Sequence, residues 1–452
     1  MAAIYCLTAS ALEITIPDSL KGKVAISIID LDNDKPVYNY NAKEPMLLAS
    51  NMKVVTSYVA LQKLGWDFHW QTKLAYTGNI TDSQLNGDLY IIGGGDPFLS
   101  ATSLNKMLQA LNDSGINKIN GDVILDNSIF NHPVHSSELK PEPYAPYSVN
   151  PNGLLIDNNL FLIPAKITQN KIKLVKPAEI KIKLINKLQY QKSKARCDDI
   201  NDYVTITKTA KNTLTLSGTI SQQCNNKKIG INLLSSSEFD KKTISTLLKK
   251  NDIAFTKIES GIAPSTLTVI ATHDSESINT LLPIMNQMSN NTYAKTLFMS
   301  MGAYKTTNDN TYTDSKQYYK TALSEKFDFP ELTPENGAGL SRHEKLTSEH
   351  MVDLLTAIYH SPDYAKFRLS LPTPSESGTI GNDYRQFSRQ LYAKTGTLND
   401  VKAYSGYFLS SNEHNYAISI IANNIKTNGT TPELNDFKQL FNTILTKLNC
   451  AN

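Results

Sequence analysis

Cysteine is scarce in this chain: Cys6, Cys197, Cys224 and Cys450 are the only four in 452 residues, and no CxxC occurs. The eight histidines add no ligand-spaced cluster. No obvious metal cassette is formed, and no metal or cofactor is expected. Excess charge of one sign is missing too. Lys and Arg total 45 against 42 Asp and Glu, a formal net charge of +3, so the basic stripe of a nucleic-acid binder is not expected. Beyond the first dozen residues no run approaches the roughly 18 apolar residues of a spanning helix. Repeats and low-complexity tracts are also lacking. What is present is core material: 40% hydrophobic against 19% charged residues excludes disorder as the main state. The length fits two or three domains of a large soluble protein.

The first residues, Met1 to Ala11, are small and apolar, and Ala9-Ser10-Ala11 fits a small-x-small cleavage pattern. They read as the remnant of a secretion signal, against the plain alternative of a frayed terminus. In an oxidising compartment Cys197 and Cys224 could pair; two free thiols fit the sequence as well.

Alternation over Lys23 to Leu31 and Pro36 to Tyr40 predicts a hairpin. Apolar residues at Met52, Val55, Val59, Ala60 and Leu64 follow a helical period, with Ser50 at the N-cap position. Leu89 to Ile92, a helix over 102–111 and Asp122 to Leu125 form a βαβ-like unit. Its Gly93-Gly94-Gly95-Asp96-Pro97 turn matches neither GxGxxG nor a Walker loop, so it reads as a structural turn. Residues 163 to 240 carry short alternating runs, among them Ile180 to Ile185, which suggest a small β module. A helix over 240–250 and a strand over 254–258 follow. Then come a helix over 279–301 interrupted near Ser289, a helix ending at Tyr359, a three-strand meander over 391–422 and a closing helix over 432–448. Strands at both chain ends can share one sheet, which makes the middle an insertion.

Three short motifs fall in a telling order: Ser50-Asn51-Met52-Lys53, Ser289-Asn290-Asn291 and Lys394-Thr395-Gly396. SxxK and SxN recur elsewhere in the chain, whereas KTG occurs once. The first opens a helix, the second breaks one and the third lies on a strand, the arrangement of a penicillin-recognising serine acyl-enzyme. Residues three apart share a helix face, so Lys53 can reach the Ser50 hydroxyl. A lysine that is buried and close to another cation has a depressed pKa and can take the serine proton. Lys394 supplies that cation. In this reading Ser289 relays the proton to the leaving nitrogen, and Asn291 holds Lys53 and a substrate amide. Lys394 and Thr395 grip a carboxylate, and Gly396 clears the strand edge for an extended substrate. The N–H groups of Ser50 and Thr397 form an oxyanion hole. Taken singly, each motif is as well explained by an N-cap, a loop or an edge strand.

With those motifs in place, the chain resembles the class C low-molecular-mass penicillin-binding proteins, the D-alanyl-D-alanine carboxypeptidases/endopeptidases. The resemblance covers most of the chain. It rests also on PMLLASNMK from Pro45, GGGDPFL from Gly93, NGAGLSR from Asn336, LPTPSESGT from Leu371 and AKTGT from Ala393. It implies an α+β fold: a β-lactamase/transpeptidase-like domain of helices around an antiparallel sheet, with a nested two-domain insertion whose inner part is mostly β. The expected boundaries are 20–66 with 264–452, 67–162 with 241–263, and 163–240. The resemblance makes Leu340, Arg342, Thr397 and Leu398 pocket residues. Relatives bind the free end of the stem peptide with a stretch containing tryptophan and aspartate. Here Val134 to Leu139 has no tryptophan, and Glu138 stands in for the aspartate.

The expected activity is hydrolysis of D-Ala–D-Ala bonds or D-amino-acid cross-links in peptidoglycan peptides, outside the cytoplasm. β-Lactams are expected to acylate the same serine. A serine β-lactamase or esterase is the first alternative, although no ExxLN-like segment lies between the second and third motifs. A non-catalytic β-lactam-binding cell-wall protein is the second. Peripheral membrane contact and oligomeric state are left open.

Overall fold

The computed structural model describes residues 12–450 apart from 133–142, 178–179, 194–196, 198, 305–309, 382 and 428. Glu138 and the segment 1–11 therefore lie outside the described residues.

The alternating run at the start of the chain forms β1 (Val24–Asp30), which returns through Asp34 as β2 (Lys35–Tyr40). α1 (Met52–Lys63) follows. The chain comes back to this body much later, with α2 (Ile278–Gln287), α3 (Asn291–Ala303), β3 (Leu391–Leu398), β4 (Val401–Leu409), β5 (Asn415–Asn423) and α4 (Pro432–Cys450). The five strands form one antiparallel sheet in the order β3-β4-β5-β1-β2. β1 and β5, from opposite ends of the chain, pair with Ile26 beside Ile420.

Across β1, β4 and β5 both faces of this sheet are buried, as their β-branched and aromatic content demands, while the edge strand β2 is partly exposed. Ile26, Ile28, Tyr404, Phe408, Ile418 and Ile420 point to α4, which meets them with Phe437, Leu440, Phe441 and Ile444. Ala403, Tyr407, Ala417 and Ile421 point to the opposite face and join a core with Met52, Val55, Val59, Leu282, Met285, Leu297 and Phe298. Every residue of α1 from Met52 to Leu61 is buried. It is thus the central helix of the body and has no solvated face.

The middle of the chain builds a second five-stranded sheet. Its order is Ile258–Ser260, Val123–Asp126, Leu89–Ile92, Gln71–Tyr76 and Thr268–Asp274. Leu89–Ile92 and Val123–Asp126 run parallel across the helix Ala101–Asp113, the geometry of a βαβ unit. In the glycine turn between them, Gly95 N–H donates to Gly153 O at 2.9 Å, so backbone packs on backbone there. The expected strand over 254–258 forms later, at Ile258–Ser260. Ala254 makes only an isolated bridge to Lys118, its N–H and carbonyl being taken by Asn117 and Ile119.

Within this region Phe161–Thr168 pairs with Lys171–Leu174 and Lys228–Ile231, while Thr213–Ile220 lies between Lys183–Tyr190 and Val204–Ala210. Cys197 and Cys224 form a disulfide with Cα atoms 5.2 Å apart, which resolves the two readings of the sequence in favour of pairing. Among the described residues no helix is long and apolar enough to cross a membrane.

Candidate active site

Ser50 does not cap α1, as the helical period suggested. It lies inside a 3-10 turn, Ala49–Asn51, and Asn51 takes the cap position without a side-chain bond. Ala49 adopts φ 47°, a left-handed conformation uncommon for alanine. Two glycines press on this turn. A Cβ on Gly339 would lie 1.7 Å from Ala49 O, and one on Gly396 would lie 2.7 Å from Leu48 O. Strand β3 and the loop 336–342 can approach the serine this closely only with glycine at those points. Asn51 Nδ2 donates to Ser405 Oγ at 2.8 Å and ties the turn to β4.

At the second position of α1, Lys53 is fully buried. Its Nζ lies 2.6 Å from Asn291 Oδ1, 2.9 Å from Ala338 O and 3.0 Å from Ser50 Oγ. The first two oxygens can only accept, whereas a hydroxyl can also donate. A neutral amine has two N–H groups and one lone pair, so its lone pair falls to the Ser50 hydroxyl. Burial holds the Lys53 pKa well below the ordinary lysine value; Lys394 and Lys295 push the same way and Glu344 opposes them.

The second motif occupies the break between α2 and α3. Ser289 adopts φ 55°, and Asn290 caps α3 by accepting from Tyr293 N–H at 3.0 Å. This reversal puts Asn291 against Lys53 and Ser289 Oγ 3.0 Å from Lys394 Nζ. Lys394, on β3, is also fully buried, and it donates to Thr395 O at 2.9 Å. Burial, then Lys402, pushes its pKa down to about 7. The three motifs thus meet.

A cavity of about 520 Å³ opens at Ser50 and is lined also by Ser289, Thr379, Thr395, Thr397 and Lys402. Leu340, Arg342, Gly396 and Leu398 are not among its lining residues. Leu340 packs half-buried on the main core, and Arg342 pairs with Asp400 at 2.8 Å.

Four features escaped the sequence reading. Glu344 is buried under the loop 336–342, where Oε1 accepts from the N–H groups of Glu335, Asn336 and Gly337 and Oε2 from that of Gly339, at 2.8 to 3.1 Å. This carboxylate shapes the loop whose Ala338 carbonyl reaches Lys53. Lys295 follows Asn291 by one helical turn, a spacing that could have flagged it. It donates to the carbonyls of Tyr147 and Val149, both at 3.1 Å, and burial lowers its pKa to about 8. Thr379 meets Thr395, Oγ1 to Oγ1, at 2.6 Å. Asp199, Asp202 and Tyr203, distant in sequence from every motif, line the cavity at Ser50.

A serine beside a buried amine of lowered pKa, with a second amine on an edge strand, is an arrangement suited to serine acyl transfer, and its frame is a transpeptidase-like fold. A family model supports that class over nearly the whole chain. Residues 8–443 match the D-Ala-D-Ala carboxypeptidase 3 (S13) family. The chain belongs to that family. It is 26% identical over 426 residues to a D-alanyl-D-alanine carboxypeptidase of Actinomadura sp. (strain R39), covering 90% of this chain and 78% of the relative. It is 25% identical over 408 residues to the D-alanyl-D-alanine carboxypeptidase DacB of Haemophilus influenzae, covering 88% and 85%. Among solved structures, penicillin-binding protein 4 of H. influenzae shares the fold with a TM-score of 0.77 at 24% identity, over 95% of this chain and 97% of that one. A predatory peptidoglycan endopeptidase of Bdellovibrio bacteriovorus shares it with a TM-score of 0.53 at 16% identity, over 94% and 92%.

Proposed function

We propose that this chain is a serine-type D-Ala-D-Ala carboxypeptidase or D,D-endopeptidase of peptidoglycan stem peptides, working through an acyl-enzyme at Ser50 and acylated there by β-lactams. The observation that carries this reading is the environment of Lys53 Nζ, a fully buried amine within hydrogen-bond distance of Ser50 Oγ, Asn291 Oδ1 and Ala338 O. Ser50 attacks the carbonyl of the penultimate D-Ala as Lys53 takes its proton. Ser289 relays that proton to the leaving nitrogen, and the departing amine breaks the C–N bond. Lys394 and Thr395 hold the leaving group's carboxylate, and the backbone N–H groups of Ser50 and Thr397 hold the oxyanion. Such a donor is commonly worth about 3 kcal/mol in the transition state. Water then hydrolyses the ester.

The substrate places the enzyme outside the cytoplasm, where the Cys197–Cys224 disulfide is also at home. The segments 20–66 and 264–452 form the catalytic domain in this reading. Residues 67–162 with 241–263 form a second domain, and 163–240 a third nested within it.

Muropeptide mass spectrometry tests the assignment. Wild-type protein should release D-Ala or split cross-links and Ser50→Ala should do neither; equal cleavage by both rejects Ser50. A fluorescent penicillin followed over time separates the alternatives. A stable label belongs to the peptidase, fast turnover to a β-lactamase and no label to a non-catalytic binder.

A further inference from the structure

Lysine is concentrated in a part of the chain that the proposed chemistry does not use. Residues 163–240 hold 14 of the chain's 45 Lys and Arg but only 6 of its 42 Asp and Glu. This β module is therefore strongly basic, while the remainder of the chain is net acidic.

One sheet face displays the excess. Along Phe161–Thr168 the side chains alternate, with Phe161, Ile163, Ala165 and Ile167 buried and Leu162, Lys166 and Thr168 exposed. The strands on either side expose Lys171 and Lys173, and Lys228. Register brings these together: Lys166 stands directly opposite Lys173, Thr168 opposite Lys171 and Pro164 opposite Lys228. Val175 N–H donates to Pro164 O at 2.9 Å and continues that register, so Val175 joins the same face. Leu162 and Val175 are 42% and 38% exposed, large apolar side chains set among the lysines. Beside Lys173 lies a groove of about 490 Å³, whose lining includes Lys176, Lys183, Ile172, Leu174 and Leu184 and no acid.

Folding does not account for this arrangement. Like charges directly opposite each other on antiparallel strands are destabilising. Among the described residues, none of Lys166, Lys171, Lys173 and Lys228 forms an ion pair. The acids of the module are occupied differently. Asp199 and Asp202 line the cavity at Ser50, Glu238 caps a helix with Ser235, and Asp240 is buried. Glu179 and Asp198 lie outside the described residues.

We propose that this face is a docking surface for an anionic phospholipid bilayer. The lysines attract the headgroup phosphates, and their aliphatic stems join Leu162, Pro164 and Val175 in an apolar contact that a soluble polyanion cannot provide. The inference is independent of the chemistry at Ser50. It concerns where the enzyme sits rather than what it cleaves.

Vesicle flotation of the full chain tests it. One set of vesicles is phosphatidylcholine alone, and the other has one part phosphatidylglycerol to two parts phosphatidylcholine. The protein should float with the second set and not with the first, and rising salt should release it. A lysine near such a surface contributes about 5-fold in binding, so Lys166→Gln with Lys173→Gln should weaken it about 25-fold. Penicillin acylation of that variant should match wild type, as expected of a folded protein altered only on this face. Leu162→Ser with Val175→Ser should weaken vesicle binding and leave the binding of soluble polyphosphate unchanged. Flotation that does not depend on phosphatidylglycerol, or that survives loss of the two lysines, overturns the proposal. Vesicle binding unaffected by the Leu162 and Val175 substitutions, with polyphosphate bound as tightly, overturns it too and assigns the face to a soluble polyanion. The comparison of the two vesicle sets with wild-type protein stands even if a variant fails to fold.

Discussion

Removing the Glu344 carboxylate should disable a site that it does not enter. Glu344 accepts four backbone N–H bonds at 2.8 to 3.1 Å and is almost fully buried. In Glu344→Ala four donors face a space with no acceptor. Each such loss costs about 1–3 kcal/mol, and water entering the space recovers part of it. The net cost should be on the order of 3–5 kcal/mol, as for other broken buried charge networks. For a domain of 150–250 residues, at roughly 2–4 °C per kcal/mol, that lowers the catalytic domain's Tm by about 10 °C. The kinetic loss follows from Ala338, whose carbonyl is 2.9 Å from Lys53 Nζ and sits in the loop that Glu344 shapes. A displacement of about 1 Å at a reacting group can cost roughly 100-fold. Stopped-flow acylation by a fluorescent penicillin should therefore slow about 100-fold in Glu344→Ala. In Glu344→Gln, which keeps one carbonyl oxygen for the three N–H groups at Oε1, it should slow about 10-fold. Acylation of the alanine variant within 3-fold of wild type, with an unchanged calorimetric transition, would refute the reasoning.

Gly339→Ala places a methyl group 1.7 Å from Ala49 O at a φ of +80°, so the serine turn must move. Penicillin acylation should fall at least 10-fold, and wild-type rates would show that the loop gives way harmlessly. Lys394, pushed down to about 7, loses its proton as pH rises through 7, and the grip on a substrate carboxylate goes with it. The kcat/KM of a D-Ala-D-Ala peptide should fall on that alkaline side, and the limb should disappear in Lys394→Arg, whose cation persists; an identical limb in both assigns it to another group. Replacing Cys197 and Cys224 by serine removes a cross-link spanning 27 residues. Chain entropy values that link at about 3.5 kcal/mol, so a calorimetric transition should shift downward while penicillin acylation at 25 °C survives; an unmoved transition would refute the estimate.

The motif residues were legible in the sequence because each sits where a local rule is strong. Lys53 lies three residues along a helix from Ser50, the break at Ser289 interrupts a helical period, and KTG lies on an alternating strand. The sheet was legible for the same reason, through β-branched runs at both chain ends. Glu344 obeys no such rule. Its partners are backbone N–H groups, which every sequence has, so nothing in residue type separates a buried carboxylate from a solvated one. Lys402 lines the cavity through cross-strand register with Thr397, and register is set by pairing that a single strand does not encode. Asp199 and Asp202 reach the cavity from far along the chain, by a tertiary contact alone. Ser50 misled in a different way. A serine before a helical run reads as a cap, but here the turn tightens to 3-10 and presents the hydroxyl to Lys53.

The charges around Ser50 explain why an amine can serve as its base. Lys53, Lys295 and Lys394 are all buried, and Glu344 is the buried carboxylate that acts on Lys53. Three ammonium groups against one carboxylate would leave unpaired charge out of water, at a cost of several kcal/mol for each ion. The strain is relieved where it is greatest. Lys295 and Lys394 are depressed only to about 8 and about 7, whereas Lys53 bears its own burial and the repulsion of both. The amine that touches the hydroxyl is thus one whose burial and cationic neighbours favour loss of its proton. Glu344 is the group that could reverse this ordering, since its charge favours protonated Lys53, but its four backbone N–H bonds already satisfy that charge. An incoming substrate carboxylate adds negative charge beside Lys394 and favours the cation there. In the proposed mechanism, base and anion grip are in this way divided between two lysines. The ammonium proposed to bind the substrate lowers its neighbour's pKa, so in this mechanism the two demands on the site reinforce each other.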